Sequence, residues 1–334
     1  MRFGEVFRFE VGYRLRQVST WIYAGILLGL AFFFVHEDAG DSASALYTNA
    51  PGSIAEFSIF IGLIGMMVTA AIFGDVATRD VRTGMHPLVH TTPLRKAEYL
   101  GGQFLGAFVV NALVLMVVPL GIAIATQMPY LDPGVFGPFQ AAAYVQPYLL
   151  FLLPNLVLSG VVLFAIAALT RHTLPAYLGG LGLFFGYLIS TGYRDYIPDP
   201  TLAALSDPIG LEALRELTRY WTVAERNTQL IGFPDMLLWN RVVWTLVAVG
   251  VLGLLHTRFR FGHAVEGGRS RRGRRRITEP GAARHSSVAL PRVTGVFDFS
   301  THVRQTLAVA RLSLREVARS KALLAIMAWT VVIV

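Results

Sequence analysis

The chain has 334 residues, 54% hydrophobic and only 15% charged, with a formal net charge of +8 and no cysteine. Soluble domains are roughly 45–50% apolar and about 25% charged, so this composition reads as a polytopic, all-α helical membrane protein. The missing cysteine excludes a disulfide framework and any thiolate metal centre.

The N-terminal stretch MRFGEVFRFEVGYRLRQ carries six charges and is not followed by a small-residue cleavage pattern, so the first span is expected to stay rather than to be a removed signal peptide. Within it Phe7, Phe9, Val11, Tyr13 and Leu15 alternate with Arg8, Glu10, Gly12, Arg14 and Arg16, a period that favours a strand. Six apolar segments follow, at about 18–35, 53–74, 104–126, 143–169, 174–192 and 236–255, each long enough to span a bilayer with some tilt. Pro147 and Pro154 interrupt the fourth and predict a kink. With the N-terminus inside, 24 Lys and Arg residues fall in the inner segments against 4 in the outer ones, which predicts a cytoplasmic N-terminus.

The longest outer segment, 193–235, holds one amphipathic pattern. Asp207 and Pro208 suit a helix start. Leu211, Leu214, Leu217 and Trp221 then recur at helical spacing, which predicts a short helix packed on the bundle. Residues 257–300 change character: RSRRGRRR (269–276) and TEPGAARHSS form a basic linker, attracted to anionic lipid rather than to nucleic acid, since no folded nucleic-acid module accompanies it.

The segment 301–334 repeats the beginning. LRQVSTWIYAGILL (15–28) aligns with LREVARSKALLAIM (314–327) at an offset of 299. In this second copy Val303, Leu307, Ala310, Leu314 and Val317 form a helical stripe, so by equivalence both copies are expected to be amphipathic helices leading into a span. The 13 uncharged residues from Ala322 to Val334 are too few to cross a bilayer and read as the first half of a seventh span. The expected organisation is a six-span module at 1–256, the linker at 257–300 and the start of a second module at 301–334, the chain being a fragment.

Catalytic signatures are missing. GxxxxGK[ST], HExxH and GxSxG do not occur, so no nucleotide, metal or acyl chemistry is assigned to the chain itself, and neither a cofactor nor an enzymatic activity is expected of it. His86, His90 and His172 lack acidic companions at ligand spacing and read as surface histidines. GILLG (25–29), GQFLG (102–106) and GLFFG (182–186) predict close helix approach. Among polar residues in the apolar segments (Glu56, Asn111, Gln146, Asn155, Asn240, Arg241), most lie near span ends. Asn111 and Asn155 are deep enough for a pathway or for an interhelical contact, and both readings stay open.

The most specific stretch is DVATRDVRTGMHPLVHTTPLRKAEYLGGQFLG (75–106), a polar inner loop in which Thr92 and Pro93 look like the cap and first residue of the next helix. It resembles the corresponding loop of ABC-2-type transporter permeases, where an acidic and basic segment, a glycine and a Thr-Pro with following basic residues lie between the second and third spans. Arg79, Asp80, Gly84, Thr92, Pro93, Arg95 and Lys96 stand at those positions, and the resemblance extends over about 1–256. It implies a permease of the bacterial inner membrane whose loop docks on a separate cytoplasmic ABC ATPase that binds the ATP, paired with a second module in cis or another copy, and exporting an unidentified substrate. TRYWTVAERN (218–227), TTPLRKAEYLGGQFLG (91–106) and the second copy are also similar to large bacterial proteins in which two permease modules precede an M1-family zinc aminopeptidase. That resemblance implies an alternative, a membrane anchor for a peptidase beyond residue 334.

Overall fold

The computed structural model describes residues 2–39, 45–85, 94–194, 197–233 and 235–259, together with Arg304 and Arg311. The chain divides into two units, Met1–Val265 and Glu266–Val334. The basic linker from residue 260 on, the second copy and the seventh span lie outside the described residues, apart from Arg304 and Arg311, which are helical; Thr257 and Arg258, expected in the linker, belong to the last helix of the first unit.

The first unit is all α-helical among the described residues. Its helices are α1 (Arg2–Leu15), α2 (Val18–Ala39), α3 (Pro51–Arg82), α4 (Lys96–Leu115), α5 (Val117–Ala125), α6 (Ala141–Pro147), α7 (Leu153–Thr170), α8 (Thr173–Arg194), α9 (Pro200–Ser206), α10 (Leu211–Thr218), α11 (Val223–Thr228) and α12 (Asp235–Arg258). Six stretches are long and apolar enough to cross a membrane: α2, α3, α4 with α5, α6 with α7, α8, and α12. In α2, α8 and α12 less than a quarter of the apolar window is buried, although its mean hydropathy is 2.0, 1.3 and 1.7. Trp21, Ile22, Phe33, Ile189, Leu246 and Leu254 all face outward, as side chains bathed by lipid would.

α1 is helical despite its strand-like alternation. An amphipathic helix needs only one covered face, and that face is supplied by α4: the Cβ positions of Gly102 and Gly106 would fall 2.8 Å from Val6 and 2.6 Å from the Glu10 Cβ. GQFLG thus brings two backbones together as small-residue motifs do. The other two such sequences do not act this way. Cβ atoms added at Gly25, Gly29, Gly182 or Gly186 would meet nothing within 4 Å.

Two elements run further than the hydropathy windows. α3 continues to Arg82, about two turns beyond the apolar segment, which puts Asp75, Arg79 and Asp80 on a helix rather than in a loop. The helix of the third span starts at Lys96, after a non-helical Leu94 and an extended Arg95 whose N–H donates to Glu98 Oε2 at 2.9 Å. Its cap is therefore Arg95 with Glu98, not Thr92 with Pro93; the last two lie outside the described residues.

Prolines shape the middle of the bundle. Pro119 cannot donate to Leu115, and the third span breaks at Met116 into α4 and α5. Around Pro147 and Pro154 the fourth span widens into a π-helical turn, Tyr148–Leu152, in which the Leu153 N–H reaches back to Tyr148 O. The core is built from α3 outward. Phe73, Phe104 and Phe164 meet at centroid distances of 5.3, 5.6 and 6.3 Å, and Gly160 leaves the room that the Phe73 ring fills. α10 packs Leu211 and Leu214 into a second cluster with Ile59, Phe151 and Leu237, as its apolar stripe predicts.

Candidate functional site

At the end of the bundle where α1 meets α2, charged side chains are buried together. Arg79 of α3 donates from Nη1 to Glu10 Oε1 at 3.1 Å and from Nη2 to Glu10 Oε2 at 2.5 Å. Arg14 of α1 donates to the same Glu10 Oε1 at 3.1 Å and to Asp75 Oδ2 at 2.7 Å, while Arg82 pairs with the other oxygen of Asp75. Glu10, Arg14 and Arg79 are 0, 3 and 7% exposed, so burial has removed nearly all water and the pairing must replace it. Aromatic rings complete the enclosure. The Arg79 guanidinium lies over Tyr13 and Phe9, at 4.5 and 5.4 Å from their centroids.

The following helix joins the same cluster. Asp80 Oδ2 accepts from Tyr99 OH at 2.7 Å and from Gln103 Nε2 at 3.3 Å, both on α4. Lys96 Nζ donates to His256 O, tying the start of α4 to the end of α12, and Tyr99 stacks obliquely near Phe259 at 6.4 Å. At the α1–α2 corner Thr20 Oγ1 and Trp21 Nε1 donate to the Arg14 and Leu15 carbonyls, at 2.8 and 3.1 Å. The connection from Thr83 to Arg95 therefore leaves and returns through two helices locked to α1 and to each other. A cleft of about 480 Å³ beside α1 and the facing ends of α3 and α4 is lined by Phe9, Glu10, Arg79, Asp80, Tyr99 and Leu94.

A second polar group sits at the opposite end. Arg241 of α12, 8% exposed, donates from Nη1 to Asn155 Oδ1 at 2.8 Å and from Nη2 to Ile209 O at 2.7 Å. Asn155 Nδ2 donates back to Ile209 O at 3.1 Å. Asn240 Nδ2 donates to Ala204 O and Asp207 O at 2.6 and 2.8 Å, and Trp244 Nε1 to Leu205 O at 3.1 Å. The buried Asp207 accepts from the Ile209 and Glu212 N–H groups at 2.9 and 2.8 Å, so it does cap α10, although that helix begins at Leu211 behind Gly210 rather than at Pro208. The connection 197–233 is pinned to the spans by these bonds. Beside them α7, α8 and α12 frame a cavity of about 640 Å³.

Of the sequence candidates, Arg79 and Asp80 enter the first cluster. Gly84 ends α3 at φ +70°, a conformation that favours glycine. Arg95 and Lys96 open α4, and Thr92 and Pro93 are not described. Asn111 is fully buried and donates to Thr69 Oγ1 at 2.9 Å, an interhelical contact between α4 and α3. Asn155 accepts from Arg241, an interhelical contact between α7 and α12, and also lines the cavity. The sequence did not single out Glu10, Arg14, Asp75, Tyr99 or Gln103 as site residues, and it placed Asn240 and Arg241 only among the polar residues near span ends. The four-residue spacings of Glu10 to Arg14 and of Asp75 to Arg79 were the available signal.

The fold and these two polar centres define an all-α polytopic membrane protein. No protein-family model matches the chain, and the search of curated proteins found no match.

Proposed function

We propose that the chain is the membrane-spanning permease module of an ABC-2-type, ATP-driven transporter, with the Glu10–Arg79 end facing the cytoplasm of a bacterial cell and the connection 83–95 receiving force from a separate ATPase. The reading is supported above all by the way Arg79 and Asp80 bind α1 and α4 at the foot of that connection. A nucleotide-driven contact can shift a membrane protein only by acting differently on its two states, and the contact must be stiff to transmit the difference. A flexible loop would absorb a push; one whose ends are anchored by buried ion pairs between α1 and α3 and by hydrogen bonds from α4 to Asp80 passes it to the second and third spans together. The concentration of Lys and Arg at this end supports the orientation.

The test is reconstitution with the cognate ATPase. Reversing the two charges at the start of α4 with Arg95→Glu and Lys96→Glu is expected to weaken ATPase association and abolish ATP-dependent transport while membrane insertion is unchanged. Tyr99→Phe, which removes one hydrogen bond from Asp80 and little volume, is expected to preserve association and lower transport. Full association and transport in the charge-reversed protein would overturn the proposal.

A further inference from the structure

We infer that the first unit is built as two stitched ends joined by a hinge, a single level at which the second, third and fourth spans are all weakened. Three observations carry this. The first is that the weak points coincide. In the third span Pro119 leaves Leu115 O without its helical donor beside the break at Met116, and in the fourth the π-helical turn Tyr148–Leu152 lies between Pro147 and Pro154. α3 runs through unbroken and carries Gly62 and Gly65 at this level. These points touch one another. A Cβ on Gly62 would lie 3.4 Å from the Leu152 side chain and one on Gly65 3.1 Å from Leu115, while Tyr148 OH donates at 2.9 Å to Ala112 O, which also takes the Met116 N–H. Helices bend where proline, glycine or a π-turn disturbs the ladder, so three neighbours can yield together here.

The second is that each side of the level is tied within itself. On the inner side the Glu10–Arg79 and Asp80–Tyr99 bonds hold α1, α3 and α4 together. On the outer side the connection from α5 to α6 is fastened just before α3. Asn49 Oδ1 accepts from the Gly137 N–H at 2.6 Å, Asn49 Nδ2 donates to Gly137 O at 2.8 Å, and the Thr48 N–H donates to Val135 O at 3.0 Å. Thr126 Oγ1 and Tyr144 OH, 3.1 Å apart, join the end of α5 to α6. Paired hydrogen bonds and buried ion pairs resist shear, so bending concentrates between the two ends.

The third is an unpaired acceptor at the same level. Asn111, next to Ala112 and fully buried, spends its Nδ2 on Thr69 Oγ1, and its Oδ1 has no hydrogen-bond partner among the described residues. A buried acceptor without a donor carries a desolvation cost that is relieved when water or a new donor reaches it. The closed level is therefore penalised, and opening it removes the penalty. Bending there swings α1 and α4 against α5 and α6 while both sets of polar bonds stay intact. The hinge is a property of the chain alone and needs no ATPase, so its failure leaves the coupling proposal where it stood.

The test uses the purified chain in phosphatidylcholine nanodiscs, with pairs of spin labels on cysteines introduced at exposed positions, the sequence having no cysteine of its own. Leu105 of α4 with Ile124 of α5 crosses the level; Arg8 with Leu105 lies within the inner end, and Ile124 with Val145 within the outer. The distance distribution of the crossing pair is expected to be at least about twice as wide as that of either other pair, as hinge motion between stiff bodies requires. Pro119→Ala together with Pro154→Ala returns the missing donors and should narrow it to the width of the other two. Asn111→Leu removes the unpaired acceptor and should shift the population several-fold toward the closed arrangement. Thermal melts at or above the parent's confirm that these variants fold. A crossing distribution as narrow as the others, or one that either replacement leaves unchanged, would overturn the proposal. Within-end distributions as broad as the crossing one would overturn it too, since the bundle would then soften throughout and not at one level.

Discussion

Arg79 on α3 grips both carboxylate oxygens of Glu10 on α1, sixty-nine positions away in the chain, and the same carboxylate is shared with Arg14. This forked geometry fixes direction as well as distance, which a lysine could not do. Truncating one partner strands the others in a dry site, so Arg79→Leu is expected to cost about 3–5 kcal/mol in thermal unfolding in micelles. The double variant Arg79→Leu with Glu10→Leu should recover a substantial part. A double variant no more stable than the single would mean the pair is not coupled.

The glycines of α4 give a sharper contrast. Gly106→Ala must push against Glu10 Cβ and Phe7 O, and is expected to destabilise by about 1–3 kcal/mol, as overpacking does. Gly25→Ala, with open space around it, should instead gain about 0.5–1 kcal/mol from better helix propensity. Parallel melts of the two proteins decide the point, and equal effects would show that α1 does not sit against α4.

Gly210 and Gly84 share a positive φ and differ in what surrounds them. Both are left-handed, at +87° and +70°, so alanine costs about 1–2 kcal/mol at either. At Gly210 the new Cβ would also overlap the Arg241 guanidinium and displace it from Ile209 O, whereas at Gly84 nothing lies within 4 Å. Gly210→Ala should therefore be clearly the more destabilising, and should expose a cysteine placed at Trp244 to a water-soluble maleimide more than Gly84→Ala does.

A pH effect is expected at α11. Thr222 donates to Glu225 Oε2 from its N–H and its hydroxyl, at 2.7 and 2.8 Å, and these bonds hold the Glu225 carboxyl below its usual value. Because the folded value is the lower one, the capping contribution is full above the unfolded pKa and is lost as pH falls through the folded one. Replacing Thr222 with alanine removes the hydroxyl donor and leaves the backbone N–H, so it should raise the Glu225 titration, followed by carboxyl-carbon NMR, part of the way toward that of an ordinary glutamate. An unchanged titration would sink the cap.

Much of the bundle was legible because lipid imposes a simple rule: every span is an uninterrupted apolar stretch with its backbone bonded internally. The six segments, the stripe of α10 and the disturbance at Pro147 and Pro154 follow from that. Boundaries were less legible. α3 runs two turns past its apolar window because Asp75 and Arg79 find partners on α1, and hydropathy cannot register a charge that is neutralised by another helix. The break at Met116 had a local cause in Pro119, a signal weaker than the apolar run around it.

The sequence by itself determined that this is a helical membrane protein, where its spans lie, which end gathers basic residues and which residues could cap or break a helix. All of these depend on composition and on neighbours within a few positions. Tertiary structure alone decided that Glu10 belongs with Arg79, that Arg241 is buried rather than interfacial, and that one GxxxG closes an interface while another opens a cavity. A glycine pair specifies only the absence of side chains. Whether a helix or a hollow occupies that space depends on residues far away in the chain, and no local pattern encodes them.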